Sequence, residues 1–82
     1  MIHQITTIGI ASPPDRENLV AELDVGNVQF AEVNHESEIP VIEIYPRRDG
    51  EPWVFECRAL IDALNRALYR LGLDADGRQV AE

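Results

Sequence analysis

The segment Leu19–Val33 constrains the fold most, because it encodes a strand, a tight turn and a second strand in fifteen residues. Leu19, Ala21, Leu23 and Val25 alternate with Val20, Glu22 and Asp24, the pattern of a half-buried strand. Gly26-Asn27 then supplies a two-residue hairpin turn, glycine being able to take the positive φ that such turns need. The turn predicts pairs of Val25 with Val28, Leu23 with Phe30, Glu22 with Ala31 and Val20 with Val33. Leu23, Val25, Val28 and Phe30 then share one face. Farther out the apolar residues change sides, to Ala31 and Val33, which calls for a bulge or a second covered face. In this register Glu22 and Asp24 lie together, while Glu32 sits across from Ala21 on the opposite face.

Strands flank this hairpin. Ile2–Ile10 is rich in β-branched residues and is stopped by Pro13-Pro14, which cannot donate ladder hydrogen bonds. Val41–Tyr45 is a further strand, and Trp53-Val54-Phe55 is a candidate fifth. From Cys57 to Leu71 the period changes to that of a helix. Cys57, Leu60, Ile61, Leu64, Ala67, Leu68 and Leu71 form the apolar stripe, and Gly72 stands at the C-terminal cap. Leu60, Ile61, Leu64 and Leu68 are expected to pack on the sheet. Strands followed by one helix predict an α+β fold: an antiparallel meander of four or five strands with one C-terminal helix on one face. Residues 1–73 make one domain, and 74–82 read as a flexible tail.

With 82 residues the chain has room for one small core; area scaling gives roughly 4,900 Å² of folded surface. Fifteen acids against seven arginines give a net charge of -8, which disfavours a basic nucleic-acid binder and a polybasic membrane-surface protein. Almost all of the excess falls in residues 15–46, where eight acids face the single base Arg16. No direct nucleic-acid contact and no membrane association are expected. The lone Cys57 cannot form an internal disulfide, and the start lacks a signal-peptide pattern, so the expected compartment is cytoplasmic.

Catalytic motifs are weak. Cys57 would need a base, and His3 and His35 are distant in sequence. His35, Glu36 and Glu38 are metal-capable side chains in a turn, but alternation directs Glu36 away from the other two. Asp74-Ala75-Asp76-Gly77 fails the calcium-loop spacing, and without any lysine there is no Walker-type phosphate loop. No catalytic residue, cofactor or metal is therefore expected. The acids Glu22, Asp24, Glu32 and Glu43, with Tyr45 and Trp53 as aromatic anchors, are the candidate partner-binding residues. Trp53 and Phe55 have a second role open to them, closing the core beneath the helix.

Glu22-Leu23-Asp24-Val25-Gly26-Asn27-Val28-Gln29-Phe30-Ala31-Glu32-Val33, followed by Ile42-Glu43-Ile44-Tyr45-Pro46-Arg47 and Trp53-Val54-Phe55, is similar to small acidic bacterial immunity proteins. Those are encoded beside polymorphic or contact-dependent toxins. The resemblance covers about residues 19–71. It implies a non-catalytic protein-binding module, an immunity or antitoxin-like inhibitor of a basic toxin. The alternatives are a nucleic-acid-mimicking regulator of a DNA- or RNA-binding protein, and a small enzyme or metal binder. Oligomeric state is left open.

Overall fold

The computed structural model describes residues 1–80. Four strands, β1 (Thr7–Ala11), β2 (Val20–Val25), β3 (Val28–Asn34) and β4 (Val41–Ile44), precede one helix, α1 (Cys57–Arg70). The strands form an antiparallel meander in the order β1-β2-β3-β4. The fold is therefore α+β with four strands.

The hairpin begins as its turn dictates. Val25 faces Val28, and Gly26 takes φ 61° as the first central residue, the pattern of a type II′ turn. The register then slips. Asp24 pairs with Gln29 but Leu23 pairs with Ala31, leaving Phe30 as the extra residue of a β-bulge. The simple pairs Leu23–Phe30, Glu22–Ala31 and Val20–Val33 are corrected to Leu23–Ala31, Glu22–Glu32 and Ala21–Val33. Burial is the physical reason: Phe30 and Ala31 are 1% and 0% exposed, and the bulge lets both reach the core side.

β1 starts at Thr7 rather than Ile2, because the preceding residues turn away to meet residues 53–55. His3 N–H donates to the Val54 carbonyl at 2.7 Å, and Thr6 N–H donates to that of Asp24 at 2.9 Å. Trp53–Phe55 is not a strand. Its side chains instead close one end of the core, with Phe30 ring centroids 5.6 Å from Trp53 and 4.7 Å from Phe55.

The helix packs through a face that overlaps the expected stripe but is rotated toward its alanines: Ala67, Leu64, Leu68 and Leu71 meet the core as expected, and Ala63 joins them. Ala63 and Ala67 are buried, whereas Leu64, Leu68 and Leu71 are half-buried around the core and Ile61 is 45% exposed. Cys57, expected in the buried stripe, is exposed. Two small alanines let the helix backbone approach the sheet closely, and the larger residues spread to the side. α1 ends in a Schellman motif: Leu73 N–H donates to Leu68 O at 2.9 Å and Gly72 N–H to Tyr69 O at 3.0 Å, with Gly72 at φ 80°. Leu73 is buried and bridges Gln79, while Asp74 N–H donates to Arg78 O at 2.7 Å. Of the expected tail, residues 81–82 lie outside the described residues.

Candidate functional site

The bulge decides which side chains meet on the outer face of the sheet, away from α1. With the register moved by one, Glu22 pairs with Glu32, and Glu32 pairs with Glu43. A row of three carboxylates therefore crosses β2, β3 and β4. Strand neighbours are about 4.8 Å apart, so like charges in such a row repel unless a cation intervenes. The placement of Glu32 on the side of Ala21 is thus corrected: it stands with Glu22, Asp24 and Glu43.

Arg16 is that cation. It sits in the loop between β1 and β2 and donates from Nη2 to Glu32 at 2.8 Å and also to Glu43. Asn34 Nδ2 joins the same carboxylates, donating to Glu32 at 3.2 Å and to Glu43 at 2.7 Å. Glu32 and Asn34 are 7% and 3% exposed, so the cluster is rooted in buried groups and opens to solvent at the Glu43 side chain, which is 46% exposed. Burial, the largest single influence on the Arg16 guanidinium, disfavours its charge, yet its pKa is raised because Glu43 and Glu32 together outweigh that. Val20, on the same face, is 0% exposed.

A second clasp holds the Arg16 loop. The Glu36 carboxylate, in the β3–β4 turn, accepts the Glu17 N–H at 2.7 Å and the Asn18 N–H at 3.1 Å. Asn18 Nδ2 donates to His35 O at 3.1 Å. The Glu17 N–H bond leads the causes that hold the Glu36 carboxyl below its ordinary range, because it favours the ionised form.

Beyond the clasp the face opens. Asp24 accepts the Thr7 hydroxyl at 3.0 Å. Tyr45 continues β4, its N–H donating to Phe30 O at 2.8 Å. Its phenol pKa is raised, first by desolvation and then by the charges of Glu32 and Glu43. Glu22, Asp24, Glu32 and Glu43 thus share one face, and Tyr45 directly follows β4 at its end. Trp53 is not among them. It packs on Phe30, lies 5.5 Å under the Arg47 guanidinium and donates from Nε1 to Tyr45 O at 2.9 Å.

Sequence reasoning missed Arg16, Asn34 and the role of Glu36. A signal was present for Arg16: one base among eight acids is where an internal counter-ion should be sought. Among the described residues no group of three or more His, Cys, Asp or Glu side chains could hold a metal ion, and no helix is long and apolar enough to cross a membrane. A groove of about 670 Å³ between the N-terminal segment and α1 is lined by His3, Asp62, Arg66 and Arg70 among others. No protein family, curated protein or solved structure matches the chain.

Proposed function

We propose that the protein is a non-catalytic binding module that presents the outer face of its sheet to a basic protein surface. An immunity or antitoxin-like inhibitor of a basic toxin, acting in the cytoplasm, is the form that the sequence resemblance favours. The carboxylate row carries the reading. Three acids cross adjacent strands against one arginine, and Asp24 extends the negative charge along the open end. Arg16 and Asn34 hold Glu32 and Glu43 in place, so the acids are ordered before a partner arrives, which lowers the ordering cost of binding. The exposed share of Glu43 and the half-buried Glu22 and Asp24 supply the outward field. Tyr45 offers a large ring at the rim.

Affinity capture followed by direct titration tests this reading. The captured protein should be basic, and Glu22→Lys with Asp24→Lys should weaken its binding without lowering the melting temperature. A partner that is acidic, or one bound equally well by the reversed variant, would end the reading.

A further inference from the structure

The two edges of the sheet are not alike. β4 is bracketed by Pro40 and Pro46, which have no N–H, and carries Glu43, so its outer edge resists a further strand. β1 is the opposite edge, and Thr7–Ala11 contains neither a charge nor a proline. The Ile8 carbonyl accepts Nη1 of Arg70, at the end of α1, rather than a strand neighbour. Its backbone therefore points away from β2. Backbone groups alternate in direction along a strand, so Ile10 presents its N–H and carbonyl to the same open side. The side chains of Ile8 and Ile10 meanwhile share the inner face with the buried Leu23 and Ala21 opposite them.

The segment that leads into this edge forms one wall of the groove of about 670 Å³, and α1 forms the other. From Glu56 to Arg70 the helix wall is about 20 Å long, which an extended segment spans in about six residues. Ala59 and Ala63 are too small to fill the groove, and Ile5 adds an apolar contact. Charge is divided along it. Glu56 lies at the far end, where His3 meets Val54. Arg66 and Arg70, one turn apart and both exposed, line the end beside Ile8. Neither joins an ion pair among the described residues: Asp62, one turn before Arg66, lies 4.0 Å from Arg58 instead. The end of the groove at the open edge is therefore positive and unmatched.

We propose that this groove receives an extended acidic segment of another protein, added as a fifth strand on β1 with its carboxylate on Arg66 and Arg70. The inference stands apart from the outer-face reading and concerns a partner element of the opposite charge. The open backbone groups of Ile8 and Ile10 select a strand over a helix. The acid has a second task. Strand addition needs the Ile8 carbonyl, which Arg70 holds in the free protein. A carboxylate on the incoming segment draws Arg70 away, because its hydrogen bond to an anion is stronger than one to a neutral carbonyl. A segment without an acid leaves Arg70 in place, and the edge stays capped. A second copy of this chain offers no such segment at its own open edge, since β1 carries no acid.

The test is an NMR titration of the isotope-labelled full chain with a synthetic eight-residue peptide of alternating valine and threonine, one central threonine replaced by glutamate. The Ile8 and Ile10 amides should shift and gain protection from exchange, and the Arg70 side chain should shift with them. Replacing the peptide's glutamate by glutamine should weaken binding about tenfold, and Arg66→Gln should do the same at unchanged melting temperature. Methylating alternate backbone nitrogens of the peptide, in the phase that faces β1, should abolish binding. Equal binding by the glutamine peptide would remove the acidic occupant, and equal binding by the methylated one would remove the added strand. Shifts confined to Val41–Ile44, or none at millimolar peptide, would overturn the proposal. So would self-association that protects Ile8 and Ile10 without peptide, since the occupant would then be a second copy.

Discussion

Ala21, Leu23, Ala31 and Val33 leave β2 and β3 on one side, and Val20, Glu22, Glu32 and Asn34 leave them on the other. Most of both sets is buried, but by different means. The inner set is covered by α1 and the Phe30, Trp53 and Phe55 rings, through contacts that have no direction and tolerate small shifts. The outer set is covered by a loop that stays in place because Arg16, Asn34 and Glu36 each satisfy named partners. Loss of one partner there strands a buried charge, whereas loss of a methyl group opposite leaves only a cavity. The inner face supplies stability, while the outer face converts it into a fixed arrangement of charge.

The largest effect is expected at the inner face. Phe30→Ala removes a side chain that is 1% exposed and should cost about 3–5 kcal/mol by chemical denaturation. A loss below ~0.5 kcal/mol would mean that the bulge does not deliver Phe30 to the core. Next comes Arg16→Met, which leaves Glu32 and Glu43 facing each other across β3 and β4. It should lower the melting temperature by less than Phe30→Ala does. Adding Glu32→Gln should recover part of the loss, since the two side chains act as a unit. Strict additivity would show that the network is not coupled.

A smaller effect is expected at the loop clasp, and it depends on pH. The Glu36 carboxyl is lowered in the folded protein, so its contribution is present above the ordinary carboxylate value and fades as pH falls through the folded value. Wild type should therefore be more stable than Glu36→Gln at pH 7, and the gap in melting temperature should narrow as pH falls below the ordinary carboxylate range. A gap that is constant with pH would remove the clasp. The smallest effect belongs to Cys57→Ser: at an exposed site stability should change by less than ~0.5 kcal/mol.

The element order was legible because each element carries its own period: alternation in β2, a glycine turn, then a 3.6-residue repeat in α1. The register was not. A turn sets pairing only until a bulge intervenes, and the competition that placed Phe30 is decided by packing against Trp53 and Phe55, residues far along the chain. Ala63 was overlooked for a related reason. Hydropathy locates the most apolar stripe, whereas close approach to a sheet selects the smallest side chains. The acids of the site could be named, but their common face depended on the same one-residue slip. Arg16 lies in a loop with no period at all, and its role is visible only once Glu32 and Glu43 are seen side by side.

If the outer face steers a basic partner through its charge, as proposed, that association must be sensitive to salt. Association kinetics across salt test it most directly, because screening lengths fall from ~10 Å at 0.1 M to ~3 Å at 1 M. Wild type should associate steeply more slowly as salt rises. Glu22→Lys with Asp24→Lys should lower the on-rate far more than it raises the off-rate, and should flatten the salt dependence. An on-rate that ignores salt, or a reversed variant that associates as fast as wild type, would contradict the account.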